Sequence, residues 1–134
     1  MTRRFAGLML LLLFSASACA HVSPGVGFGN VLGYEGLGND LRHFYDDRAW
    51  ERNATCPGAR MDAILRARIL EETDETIVAS IRYSWLDESR LDDDGFGSGV
   101  GAGGCRGIDE RRFTLEKSDG DVRVVAMSGP QRPE

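Results

Sequence analysis

The chain is poor in the residues that most often carry chemistry. Its 134 residues include two histidines, His21 and His43, one lysine, Lys117, and three cysteines, Cys19, Cys56 and Cys105. No two cysteines stand in the Cys-x-x-Cys spacing of a dithiol redox centre. With so few histidines, no Ser-His-Asp or Cys-His set can be assembled from sequence neighbours. No apolar run reaches the twenty or so residues that a bilayer-spanning helix needs. The longest, Phe5 to Phe14, has ten. Positive charge is scarce relative to negative, and the formal net charge is −5. An acidic chain of this size repels nucleic acid and anionic headgroups, so no nucleic-acid partner is expected. The fifteen arginines beside one lysine, with abundant Gly and Ala, read as GC-rich codon usage rather than as phosphate recognition.

What is present begins with a leader. Met1-Thr2-Arg3-Arg4 is cationic, Phe5–Phe14 contains six leucines or methionines, and Ser15-Ala16-Ser17-Ala18 is a string of small residues. That is the layout of a secretory signal peptide. Ala16-Ser17-Ala18-Cys19 resembles a bacterial lipobox, with Ala16 where typical members carry Leu. The resemblance implies cleavage before Cys19, acylation of its thiol, and a small lipoprotein of the cell envelope. Ala20, which is not Asp, implies the periplasmic face of the outer membrane. Cleavage by the ordinary signal peptidase is the alternative, giving a soluble periplasmic or secreted protein. Cysteine arithmetic favours the lipoprotein. Three cysteines in an exported chain leave one thiol over; with Cys19 acylated, Cys56 and Cys105 form one disulfide. Loss of Arg3 and Arg4 brings the mature charge to about −7.

Residues 20–38 contain six glycines. Such a tether has an end-to-end distance of roughly 25 Å. It also holds Val26, Phe28, Val31, Leu32, Tyr34 and Leu37, some of which are available to pack on the domain. The expected organisation is a signal peptide over 1–18, the lipidated cysteine and tether over 19–38, and one domain over 39–134.

Asn39 is a suitable helix N-cap, with Asp40 in the first turn facing the positive end of the dipole. Leu41, Phe44, Tyr45 and Ala49 recur at helical spacing and predict the buried stripe. The helix should end near Asn53, before Pro57. From Met61 the period changes to two. Ala63, Leu65, Ala67 and Ile69 predict the inward side of one strand, and Ile77, Ala79, Ile81, Tyr83 and Trp85 that of the next. A turn centred on Thr73 would oppose Ile69 to Ile77, Ala67 to Ala79 and Leu65 to Ile81. A third strand is predicted near Ile108–Lys117, with Phe113 and Leu115 inward. A fourth is predicted near Val122–Met127, with Val122, Val124 and Ala126 inward; Asp119-Gly120 marks the hairpin between them. The expected fold class is α+β, one N-terminal helix packed on a four-stranded antiparallel meander. Strands one and three then begin at the same end, about 10 Å apart. Lead-in segments close that gap to the roughly 4.4–6.8 Å that bonded cysteines need.

Three sequence patterns invite a site and fail. Gly99-Val100-Gly101-Ala102-Gly103-Gly104 matches G-x-G-x-x-G, but it lies in a loop that leads into a strand, not at the start of a helix. Asp92-Asp93-Asp94-Gly95 invites an EF-hand reading. With Gly95 at loop position six, Arg90 takes the first ligand position and Gly101 the last, so the calcium loop fails. A solvated acidic turn is the simpler reading. A zinc site needs three or four ligands, which two histidines and two mutually bonded cysteines do not provide. No cofactor and no metal are expected.

The remaining signal is cationic. Arg66, Arg68 and Arg82 project from one face of adjacent strands, Arg112 is placed to join them, and Glu116 is a candidate counter-charge. The bland reading is a solvated sheet face; the functional one is a patch for an acidic partner or an anionic envelope component. A helix followed by four antiparallel strands resembles the cystatin-like and nuclear-transport-factor-2-like group, in element order alone and across about residues 39–128. The resemblance brings no catalytic motif. The expected function is a non-enzymatic envelope lipoprotein that binds or scaffolds an envelope protein. The alternative is a periplasmic small-ligand carrier or minor hydrolase with a pocket near Phe44, Tyr83, Trp85 and Phe113.

Overall fold

The computed structural model describes residues 28–52, 55–90 and 105–134. The lipobox with Cys19, the acidic Asp92–Asp94 run and most of the Gly95–Gly107 stretch lie outside the described residues. A helix, α1 (Leu37–Arg48), is followed by β1 (Arg60–Glu72), β2 (Thr76–Leu86), a 3-10 turn (Glu88–Arg90), β3 (Arg106–Ser118) and β4 (Asp121–Met127). The strands form one antiparallel sheet in the order β1-β2-β3-β4. The architecture is α+β and mostly sheet. The helix precedes the sheet but is internal to the chain, at 37–48, which corrects the expectation of an N-terminal helix.

Both helix ends differ from the expectation for physical reasons. Gly36, not Asn39, is the N-cap, at φ 79°. That left-handed conformation is one only glycine adopts at little cost. The start moves back by three residues, and Leu37 joins the buried set with Leu41 and Tyr45. At the other end the chain turns extended at Ala49, with ψ 140°. The C-terminal segment competes for the helix end: Arg132 N donates to Arg48 O, Trp50 N to Pro130 O, and Ala49 bridges Gln131. Val31 is buried too, and Phe28, Leu32 and Tyr34 pack against the core. Part of the glycine-rich segment expected as tether therefore belongs to the packed unit.

The β3–β4 hairpin follows its sequence signal. Asp119 and Gly120 have φ 52° and 82°, the paired positive angles of a type I′ turn, which matches the strand twist. The β1–β2 hairpin does not keep the symmetric register about Thr73. Ala67 pairs with Ile81 and Ile69 with Ala79, a slip of two residues. Register shifts at Met61/Ala63, Ile64/Arg66 and Ile69/Glu71 then break the alternation of β1. Each bulge inserts an unopposed residue and reverses the facing of the residues beyond it. Ala67 packs on the core as expected, Ile64 packs there in place of Ala63 and Leu65, and Ile69 is 42% exposed. One further shift, between Thr114 and Leu115, acts on β4: Met127 is buried and the expected Ala126 is exposed. Bulges suit β1, an edge strand whose free backbone groups would otherwise template pairing with another chain.

The helix lies against β1 and β4 and covers one sheet face. Ile77, Ile81, Phe113 and Leu115 are fully buried beneath it. Removing each such side chain from water contributes about 1.5–3 kcal/mol. Asp46 of α1 reaches the sheet edge and accepts the Met61 N–H at 2.8 Å. Burial raises the Asp46 pKa, against that hydrogen bond and nearby Arg42. Cys56 and Cys105 form a disulfide with Cα atoms 5.5 Å apart. Beside it the fully buried Asp87 accepts from Gly58 N at 2.9 Å and from Ser89 N at 3.1 Å, and its own N–H donates to Cys105 O. Through its carboxylate on Gly58 and its N–H on Cys105, Asp87 thus bridges the two segments that the disulfide joins.

Candidate functional site

Two polar constellations stand out, one inside the fold and one on its surface. The inner one is centred on Glu51, just past the helix. Its Oε1 accepts from Tyr45 OH at 2.6 Å, Tyr83 OH at 2.7 Å and Arg111 Nη2 at 3.1 Å. Arg111 Nε donates to Tyr83 OH at 2.8 Å; its remaining donors reach Trp50 O, Ser128 O and Pro130 O at 2.7–3.1 Å. The tyrosine rings stand 4.8 Å apart. The Glu51 and Arg111 side chains are each 5% exposed.

The electrostatics of this cluster are those of a closed structural pin. Burial pushes the Tyr45 and Tyr83 hydroxyls well above the ordinary tyrosine range, and the nearby Glu51 charge and its hydrogen bonds add to the shift. Burial opposes the Arg111 charge, but Tyr83 and Glu51 outweigh it and its pKa is raised. Every Arg111 nitrogen has an acceptor. Such a set holds the helix exit, sheet and C-terminal segment together. Sequence reasoning missed it because its members come from α1, the loop after it, β2 and β3. The one available signal was Arg111 at an odd, inward position of β3.

The outer constellation lies on the sheet face that the helix leaves uncovered. Residues Arg66, Arg82 and Glu110 form one cross-strand row; Arg68, Ser80 and Arg112 form the next. The structure therefore brings all four expected arginines together on three adjacent strands. The two-residue slip decides the pairing: a symmetric turn would oppose Arg66 to Ser80, whereas Arg66 stands directly opposite Arg82. Counter-charge comes from Glu110, which accepts from Ser80 Oγ and lies 3.4 Å from Arg66 Nη2 and 3.8 Å from Arg68 Nη2. The Ser80 hydrogen bond and the two arginines lower the Glu110 pKa. Glu116, the expected partner, pairs instead with Arg123 at 2.9 Å, its direct cross-strand neighbour on β4. Among the described residues Arg82 and Arg112 have no ion pair. Ile108, 58% exposed, adjoins the cluster two residues from Glu110.

Of the residues expected to line a ligand pocket, Tyr83, Trp85 and Phe113 are buried core. Phe44 is half-buried under the Arg48 guanidinium, 4.1 Å from its ring centre. A shallow hollow of about 240 Å³ lies elsewhere, at the hairpin end of the sheet, between Tyr34, Asp74, Lys117 and the β3–β4 turn. Among the described residues, no group of three or more His, Cys, Asp or Glu is arranged to hold a metal ion. No helix among them is long and apolar enough to cross a membrane. Comparison with known protein families, curated proteins and solved structures finds no match.

Proposed function

We propose that this chain is an exported, non-enzymatic binding domain, anchored in the cell envelope through an acylated Cys19, that docks an acidic protein surface on the outer face of its sheet. The observation that carries the reading is the direct pairing of Arg66 with Arg82. Like charges opposite one another destabilise a sheet; Glu110 answers Arg66 and Arg68 from within the chain, while Arg82 and Arg112 have no ion pair among the described residues. The formal net charge of the chain is −5, so arginine gathers on this face against the general trend. Guanidinium groups recognise carboxylates in bidentate geometry, and Arg82 and Arg112 have donors to spare. The export half rests on the leader and on cysteine usage: the Cys56–Cys105 bond suits an oxidising compartment and leaves Cys19 as the unpaired cysteine. The element order shared with cystatin-like and nuclear-transport-factor-2-like domains supplies no catalytic group.

The test is crosslinking in cells that express the wild-type chain or an Arg66→Glu/Arg82→Glu variant, with intact mass of the mature protein read alongside. Expected are a discrete crosslinked species that the variant loses, and a mass for a chain starting at an acylated Cys19. An identical crosslinking pattern in both strains would refute the docking face. An unacylated mature chain would refute the anchor.

A further inference from the structure

The arginine face has a matching surface on the same chain. The β1–β2 and β3–β4 turns lie at one end of the sheet. Asp74 and Glu75 occupy the first, and Asp119 and Asp121 the second; all four are exposed. None of them is in an ion pair among the described residues. In a four-stranded meander these turns are two strand spacings apart, about 10 Å. Arg66 and Arg68 on β1 and Arg112 on β3 are also two strands apart, the same distance of about 10 Å. The two acidic tips therefore carry the spacing of the two arginine columns. Apolar surface accompanies both partners: Ile69 and Leu70, 42% and 39% exposed, adjoin the acidic end, and Ile108 adjoins the arginines.

We infer that the occupant of the arginine face is the acidic hairpin end of a second copy of this chain. This inference rests on the reading of that face as a docking surface and names what docks there. Asp74 or Glu75 of one copy meets Arg66 and Arg68 of the next, while Asp119 or Asp121 meets Arg112. The contact is heterologous, because donor and acceptor surfaces are different parts of the molecule. It leaves one free face and one free end on every pair, so copies add in rows and do not close as a two-fold dimer. Being formed by exposed charges, it is salt-sensitive.

Sedimentation velocity tests this on the mature chain carrying Cys19→Ser, so that lipid does not drive association. At about 50 mM salt the protein should form concentration-dependent oligomers, and at about 500 mM it should be monomeric. Arg66→Glu/Arg112→Glu and Asp74→Arg/Asp119→Arg should each weaken association about a hundredfold or more, since they place like charges together. Mixing the two variants should restore it, and unchanged melting temperatures would show that both still fold. A chain that stays monomeric at low salt overturns the inference. If that monomer still loses its cellular crosslink on Arg66→Glu/Arg82→Glu, only the identity of the occupant is wrong. If the crosslink is indifferent to those substitutions, the docking face itself falls.

Discussion

Consider Arg111→Met, which keeps most of the apolar stem and deletes the guanidinium. The native side chain donates to Tyr83 OH, Glu51 Oε1 and three backbone carbonyls, Trp50, Ser128 and Pro130. After the substitution Glu51 keeps its two tyrosine donors but loses its counter-charge inside the protein. Breaking a buried pair on one side typically costs about 3–5 kcal/mol, because a desolvated charge is left uncompensated. For a domain of this size that is a fall in melting temperature of at least about 12 °C. Glu51→Gln should cost a similar amount by stranding the cation instead.

Urea unfolding with the disulfide intact, followed by Trp50 and Trp85 fluorescence, measures these changes. The Glu51→Gln/Arg111→Met double variant should cost about 1–3 kcal/mol less than the sum of the singles, since the second substitution removes a charge that the first had already orphaned. Arg66→Met on the outer face is the control, at under about 1 kcal/mol. Should Arg111→Met and Arg66→Met cost the same, or the singles simply add, the argument for a coupled buried pin would be wrong.

Alkaline stability should fall steeply: the folded state keeps the Tyr45 and Tyr83 protons that the unfolded chain releases near pH 10. Two extra protons bound in the native state remove up to about 2.7 kcal/mol per pH unit above that point, and reversible ionisation of both rings in folded protein, seen at 295 nm, would contradict this. Replacing both cysteines by Cys56→Ala and Cys105→Ala should cost about 4 kcal/mol in the chain-entropy model, given a sequence separation of 49. An unchanged urea midpoint would show that the Asp87 contacts alone tie the two segments.

Much of this architecture is legible in local pattern. Period two over 77–85 marked β2, which is sandwiched between two neighbours and keeps strict alternation. Asp119-Gly120 marked its hairpin because only a few residue pairs tolerate positive φ at both turn positions. β1 was less legible, since an edge strand has one neighbour to hold its register and bulges protect it at little cost. Its apolar residues fall on both parities, as in Ala63-Ile64-Leu65 and Ile69-Leu70, and three register shifts redistribute them between the two faces. The helix end was misplaced because 49–52 reads as helical in isolation, while the C-terminal segment, some eighty residues later, takes the helix end's hydrogen bonds.

The candidate site divides along the same line. That Arg66, Arg68, Arg82 and Arg112 share a face follows from parity alone, and a two-residue slip preserves parity. Which arginine opposes which, and that Glu110 rather than Glu116 sits among them, depends on register, a property of paired strands and not of either one. The Glu51–Arg111 pin has no local signature at all. Sequence by itself determined the pairing of Cys56 with Cys105, the element order and the cationic face, because each is written in neighbouring residues or in a count. Tertiary structure alone decided the buried charge pair and the Arg66–Arg82 opposition, because both arise from residues far apart in the chain that only folding brings within hydrogen-bond or ladder distance.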